Sequence, residues 1–445
     1  MPRSNQVFLS YSRSDYEAAL QLCSTLEHAG LKVFQDTKSI RSGDRWMNHL
    51  HDALQNCSAF VVLVGRDGVR GWVLAETQVA LIRHYSPQVD SQRLPIFPVI
   101  LPNGDIHDLP PFLSLLQAQR WQTSEPLPDN FIAALKDGLE RLSNEVVSIE
   151  GCPYVGLSAF QREQANLFFG RRIETLQALT YLGAQEDFHP EKDFILNTYY
   201  CRWLQIEGNS GVGKSSLVNA GLLPLIEKGV LWARTGFKNW HVLRPMVPGE
   251  RPLLQLAEIL ELSLVSDATK RDISRLYQRL KESDDVLALH LRGFRQKGLA
   301  FLLVVDQFEE LFTFSQDDEK ANFDRQLAYA LCDNNCPLFL ISTIRIDFLG
   351  GFEGVTKLSD LYNKHCKRYF LKSISQSGLN EIIEQPARLA GIDVSEVKPA
   401  ILNDAQNEVG ALPLIENALH ILWEKSVCIS YGKKAMEIIL VGNYV

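Results

Sequence analysis

The residues best equipped for chemistry are Gly208-Asn209-Ser210-Gly211-Val212-Gly213-Lys214-Ser215, which fit the pattern GxxxxGK[ST]. Glycines at these positions let a loop turn its backbone N–H groups inward around phosphate oxygens. The lysine then reaches the β- and γ-phosphates, and the serine hydroxyl ligates magnesium. Gly208, Asn209, Ser210, Gly211, Val212, Gly213, Lys214, Ser215 and Ser216 are therefore the expected contacts to a nucleoside triphosphate such as ATP or ADP. A second acidic signal agrees. Phe301-Leu302-Leu303-Val304-Val305-Asp306 is an apolar run ending in a carboxylate, where an acid must sit to hold the magnesium shell with Ser215. Glu309 and Glu310 follow, and either can orient or deprotonate an attacking water; the competing reading is a solvated acidic turn. A third apolar run, Leu338–Thr343, leads to Arg345. An arginine just past a central strand can touch the γ-phosphate and report its loss, or make a surface salt bridge.

Elements must hold these groups in place. Arg202–Ile206 reads as a strand running into the glycine-rich loop, and Ser216–Leu223 as the helix that follows, its positive N-terminal end at the phosphates. Upstream, Gln6–Tyr11, Leu31–Gln35, Ala59–Gly65 and Leu94–Leu101 read as strands. They alternate with helical spacing at Tyr16–Ala29, Trp46–Gln55 and Val73–His84. Strands alternating with helices imply a parallel sheet with crossover helices. Asp129–Ser143 reads as a helix and Asn144–Pro153 as a linker. Gln161–Phe169 and Ile173–Leu182 read as helices, and Gly183–Thr198 as an irregular loop. After about residue 372 the pattern is helical, at Gln376–Leu389, Val397–Glu408 and Leu414–Lys425.

Bulk composition sets the outer bounds. The 445 residues exceed one core, and 46% apolar with 22% charged residues is ordinary for a globular protein. A net charge of −8 argues against a nucleic-acid coat or a membrane-surface protein. No apolar run reaches membrane-span or signal-peptide length, so the reading is a cytoplasmic chain. Of eight cysteines, Cys332 and Cys336 lie four apart with no second pair at metal-ligand spacing, which favours plain thiols over zinc.

Together the motifs resemble a family. Residues 152–425 look like a STAND ATPase of the bacterial branch that often carries repeat sensors. The resemblance rests on the phosphate loop and on Pro153-Tyr154-Val155-Gly156-Leu157 with Phe168-Phe169-Gly170-Arg171-Arg172. It rests also on Trp240 to Pro245, on Asp306-Gln307-Phe308-Glu309-Glu310 as the Walker B segment, and on Gly410-Ala411-Leu412-Pro413-Leu414 as the GxP turn. It implies that Pro413 packs near the adenine, that hydrolysis is slow, and that the nucleotide acts as a switch between two arrangements of the core and a helical lid.

The first part of the chain resembles a TIR domain over about residues 5–125. Val7-Phe8-Leu9-Ser10-Tyr11-Ser12 with Asp15 is similar to its first box. Val33-Phe34-Gln35-Asp36 with Gly43 and Trp46 is similar to its second strand and loop. Phe60–Val64, Trp72-Val73-Leu74-Ala75-Glu76 and Val99-Ile100-Leu101-Pro102 complete the order. Gly65–Gly71 departs from the pattern, which has a serine-rich turn there. TIR domains divide into adaptors and enzymes that cleave NAD. Nicotinamide leaves ribose as a neutral group, so the site needs one carboxylate beside the ribose and no general acid. Glu76 is the candidate, with Trp72 one helical turn earlier as a pocket wall, and Ser10, Asp36 and Arg41 as further NAD-pocket residues.

The expected fold class is α/β: a flavodoxin-like TIR domain with a parallel five-stranded sheet, then a P-loop NTPase α/β domain with a C-terminal helical lid. The expected divisions are 1–125, a helix and linker at 126–152, the NTPase at 153–372 and the lid at 373–445. The resemblance implies a signalling or antiviral-defence effector that self-associates through both domains, responding to a separate sensor or a phage-derived protein. A non-catalytic scaffold acting through TIR–TIR contacts is the alternative, and a housekeeping NTPase a third reading. Such proteins continue through a winged helix into a sensor. Here only Ser426–Val445 follow Trp423-Glu424-Lys425, so the reading expects that sensor, and the residue locking an ADP state, to be lacking.

Overall fold

The computed structural model describes residues 6–35, 57–69, 94–105, 118–144, 151–183, 201–231, 235–294, 298–405 and 412–427, with single positions between them, Glu76 among these. Asp36, Arg41, Trp72, the helix expected at Trp46–Gln55 and almost all of the loop expected at Gly183–Thr198 lie outside the described residues.

Two five-stranded sheets carry the fold, and every strand pair in both is parallel. The first contains β1 (Gln6–Ser10), β2 (Lys32–Gln35), β3 (Ala59–Val64), β4 (Ile96–Ile100) and β5 (Gln119–Arg120) in the order β2-β1-β3-β4-β5. That order is flavodoxin-like, with its reversal between β1 and β3. The period of two explains why both faces are apolar. Val7 and Leu9 of β1 and Ala59, Val61 and Leu63 of β3 pack on Leu22 and Leu26 of the helix Tyr16–His28. Phe8, Phe60, Val62 and Val64 turn the other way, into a core shared with Val73, Leu74, Ala80 and Leu81.

The second sheet contains β6 (Trp203–Gly208), β7 (Asn239–Val242), β8 (Leu299–Val305), β9 (Leu338–Arg345) and β10 (Cys366–Phe370) in the order β10-β6-β9-β8-β7. In β8 the side chains of Phe301, Leu303 and Val305 enter one core, and Ala300, Leu302 and Val304 the other. A buried polar chain ties β6 to β9: Trp203 Nε1 donates to Ser342 Oγ at 2.8 Å, and Ser342 Oγ donates to Gln205 Oε1 at 2.8 Å. Register matters here because a one-residue slip would send these groups to the opposite face.

Two readings need correction, and one strand was missed. Gln161–Phe169 is not an α-helix but a 3-10 segment, Arg162–Leu167, opened by a capping box between Gln161 and Gln164 and closed before Gly170, whose φ is +77°. Arg345 is not beyond its strand; it is the last residue of β9, opposite Gly208. Strand β10 carries Lys367 and Arg368 and lacks the apolar run that marked the others, as suits an edge strand paired on one side with β6. The last described helices are Gln376–Leu389, Lys398–Ala405 and Leu412–Val427. They bury Leu379, Ile383, Ile415, Leu419 and Trp423 around Tyr154. Among the described residues no helix is long and apolar enough to cross a membrane, and no group of three or more His, Cys, Asp or Glu is placed to hold a metal.

Candidate nucleotide site

Strand β6 ends at Gly208, and the loop after it turns through two left-handed glycines, Gly211 at φ +73° and Gly213 at φ +91°. Gly211 has a second reason to be glycine: a Cβ there would lie 3.0 Å from the carbonyl oxygen of Gly410. The helix after the loop runs through Lys214–Ser216, a π-helical stretch Leu217–Leu222 and Leu223–Glu227. Lys214 Nζ donates to the carbonyls of Gly208 (3.1 Å) and Asn209 (2.8 Å). Burial pushes this ammonium below its ordinary pKa, and the charges of Glu309 and Asp306 partly offset that. An anion at the loop would restore what the ammonium loses on leaving water.

Sheet order decides how the metal-shell acid meets the loop. Asp306 follows β8, which is separated from β6 by β9. The gap is bridged on the face shared by Asp306 and Thr343. Asp306 Oδ1 accepts from Ser215 Oγ at 2.9 Å and from Thr343 Oγ1 at 2.5 Å. Thr343 is buried, and its Oγ1 also accepts from the Gln307 backbone N–H at 3.0 Å. Gln307 is the one described non-glycine with positive φ, at 51°, so this hydrogen bond holds a strained turn in place. The hydroxyl and carboxylate oxygens of Ser215 and Asp306 are a hard-oxygen set that suits magnesium.

The turn separates the two glutamates. Glu309 is buried, lines the cavity beside the loop, and its Oε2 accepts from the Arg345 backbone N–H at 3.3 Å. Glu310 starts the short helix Glu310–Thr313 and is not among the lining residues. Arg345 lines the same cavity, ion-pairs with Asp347 and lies over the Phe348 ring, 5.2 Å from its centroid; its Nε has no partner among the described residues.

That cavity is about 340 Å³ and has walls from both parts of the unit. Ser210, Gly211, Gly213, Lys214, Ser215 and Ser216 form the floor. Leu412, Pro413 and Glu416 come from the lid helix, and Ile382 from another. Val155 to Phe160 cross between them. At one end of this segment Tyr154 Oη donates to the Ile383 carbonyl at 2.9 Å; at the other the Phe160 N–H donates to Ser216 Oγ at 3.1 Å. Gly208, Asn209 and Val212 take part through their carbonyls, Val212 accepting from the buried Arg171 guanidinium at 2.8 Å. Arg171 falls in the Phe168–Arg172 motif quoted from the sequence, but Thr343 and Glu416 were not singled out. The signals were there: a hydroxyl in an otherwise apolar strand, and an acid on an apolar helix face.

In the first sheet, Ser10 ends β1 on the face of Phe8, which is the face covered by Val73 and Leu74. Ser10 Oγ donates to Glu76 Oε2 at 2.5 Å, and both residues are buried. The pair sits at the C-terminal end of β1, beside the strand-order reversal where α/β sheets open a ligand crevice. Of the five residues expected around NAD, these two are brought together; Asp36, Arg41 and Trp72 lie outside the described residues.

Comparison with known proteins gives two family matches. A model described as novel STAND NTPase 1 matches residues 153–437, and a TIR domain model matches residues 7–135. Among solved structures, the TIR domain of the Toll-related receptor TRR-2 from Hydra magnipapillata is similar at 18% identity, over 31% of this chain and 98% of that one, with a TM-score of 0.22. A metazoan TIR-STING receptor from C. gigas is similar at 17% identity, over 32% of this chain and 42% of that one, with a TM-score of 0.24. A Walker-type ATPase of Pyrococcus abyssi is similar at 15% identity, over 64% of this chain and 72% of that one, with a TM-score of 0.37. No curated protein matches the chain.

Proposed function

The chain belongs to the novel STAND NTPase 1 family and carries a TIR domain ahead of that unit, and from this premise we propose that it is an ATP-switched effector whose TIR domain cleaves NAD. The observation that carries the switch is the shared cavity: one ligand there touches the phosphate loop, the strand end at Arg345 and the lid at Pro413. A ligand shifts a two-state equilibrium only by its differential affinity for the two states. A γ-phosphate supplies such a difference, because Lys214, Arg345 and Glu309 meet where it would lie. Ser215 and Asp306 would hold a magnesium ion, which would supply charge neutralisation at the phosphates. Glu309, buried and fixed by the Arg345 backbone, is the group that orients water for slow hydrolysis; Glu310 drops out of that role.

The chemistry that yields product belongs to Glu76. In NAD the bond between ribose C1′ and the nicotinamide nitrogen breaks, its electron pair leaves with the ring, and nicotinamide departs neutral. The ribose cation is stabilised by one carboxylate and taken up by water, which releases a proton, or by a ring nitrogen of the same molecule. Ser10 holds Glu76 by a short hydrogen bond, which fixes its direction. Self-association of ATP-bound chains, prompted by a separate sensor or a phage-derived protein, is the step that turns this site on.

The test is nicotinamide release from NAD by the purified chain, with ATP, ADP or no nucleotide, across protein concentration. Release is expected to be greatest with ATP at high concentration and to be abolished by Glu76→Gln and by Lys214→Ala. Undiminished release by Glu76→Gln would overturn the catalytic assignment. No release in any assembled state would leave a TIR scaffold.

A further inference from the structure

We infer that Glu416 reads the base of the bound nucleotide, offering an O–H donor and an oxygen acceptor to the amino edge of an adenine. The inference rests on the ATP reading above and adds to it the group that selects the base. Glu416 lies on the lid helix, one turn beyond Pro413, and its side chain faces the same cavity as Lys214. It is only 5% exposed, and its Oε2 has no hydrogen-bond partner among the described residues. A buried carboxyl oxygen without a partner costs free energy, so a native fold keeps one where a ligand supplies the missing bond.

The surroundings fix the polarity of that bond. Glu416 accepts a hydrogen bond from the Val155 backbone, and among the described residues no cation offsets its burial, which pushes its pKa up to about 8. At neutral pH burial therefore favours the protonated carboxyl. The oxygen bonded to Val155 stays an acceptor, and the other carries the proton. Adenine presents an amino donor beside a ring-nitrogen acceptor, which matches this pair in order. Guanine presents an acceptor where adenine has the amino group, which sets oxygen against oxygen. An ionised carboxylate would reverse the preference, because it offers two acceptors to the N1–H and amino groups of guanine.

The walls nearby fit a flat base. Gly156 passes Asn417 and His420 of the lid helix closely: a Cβ there would lie 3.6 Å from the His420 ring. Pro413, Leu412 and Ile382 supply apolar surface to the same cavity. The phosphate end is reached along Val155 to Phe160, whose far end is bonded to Ser216.

Binding of ATP and of GTP to the full chain tests this by calorimetry, using wild type, Glu416→Gln, Glu416→Ala and Lys214→Ala. Wild type is expected to prefer ATP by about 100-fold, the order of discrimination expected when the wrong base leaves buried polar groups unpaired. Glu416→Gln keeps a donor and an acceptor in the same order and is expected to retain that preference. Glu416→Ala is expected to bring the two nucleotides within a few-fold of one another while remaining folded, since it removes a buried polar group. Retention of the ATP preference by Glu416→Ala, or tighter binding of GTP by wild type, overturns the inference. Lys214→Ala separates the two levels: it is expected to weaken both nucleotides alike. A wild-type chain that binds neither nucleotide overturns the pocket reading itself.

Discussion

Replacing Thr343 by valine exchanges a hydroxyl for a methyl at nearly constant shape, in a side chain that is 1% exposed. Two hydrogen bonds are lost. The donation to Asp306 Oδ1, at 2.5 Å, is charge-assisted and contributes about 1.5–3 kcal/mol. The bond from the Gln307 N–H, at 3.0 Å, contributes about 0.5–1 kcal/mol, at the low end because Gln307 is exposed and water can replace the partner. The added methyl returns about 0.8 kcal/mol by burial. The net cost is about 1–3 kcal/mol, or a fall in melting temperature of roughly 2–12 °C for a unit of this size. Asp306 keeps Ser215 as its remaining partner and gains freedom to turn from the metal position. ATP affinity should therefore fall about tenfold at limiting magnesium and recover partly at high magnesium. Scanning calorimetry with ATP titrations at two magnesium concentrations reads both effects. Thr343→Ser restores the hydroxyl and should behave like wild type. If valine matches wild type in melting temperature and magnesium dependence, the bridge through β9 carries no weight. If serine is as poor as valine, the methyl of Thr343 is needed at this buried position as well as its hydroxyl.

Two further outcomes follow from the same geometry. Glu416 has an ordinary pKa of 4.5 and a folded value pushed up to about 8 by burial, so the fold favours its protonated form. Its stabilising protonation is complete below pH 4.5 and is lost as pH rises to about 8. Across that window the wild type should lose about 4–5 kcal/mol relative to Glu416→Gln, seen as urea midpoints that converge at low pH and separate toward pH 8. Gly211→Ala places a Cβ at φ +73° and 3.0 Å from the Gly410 carbonyl; a left-handed penalty of about 1–2 kcal/mol should weaken ATP binding about 5- to 30-fold, and an unchanged affinity in a direct titration would show that the lid does not rest on the loop.

The legible parts were those in which chemistry is local. The phosphate loop is written in eight consecutive residues, and the order of strand, loop and helix around it follows from the apolar runs of Arg202–Ile206 and Ser216–Leu223. Asp306 was legible because it ends such a run. Thr343 was not, because its role depends on β9 lying between β6 and β8, and strand order in a parallel sheet is set by packing between distant segments. Glu309 and Glu310 could not be told apart until the turn at Gln307 had a shape. Strand β10 was missed because an edge strand tolerates Lys367 and Arg368, which break the apolar pattern. The pairing of Ser10 with Glu76 is of the same kind as Thr343: 66 residues separate them, and only the common face of β1 and its covering helix brings them together.

The lid does more than cap a cavity. The chain that leaves the first domain meets the lid helices before it meets the phosphate sheet: Ile149 N–H donates to the Leu389 carbonyl at 3.1 Å, Tyr154 Oη to the Ile383 carbonyl, and His420 Nδ1 lies 2.9 Å from the Tyr154 carbonyl. The anchor of the tether is thus on the part that a nucleotide would rock, not on the rigid β-scaffold. Under the proposed switch, a lid that moved with the nucleotide would carry the attachment of the TIR domain with it, without any deformation having to cross the sheet.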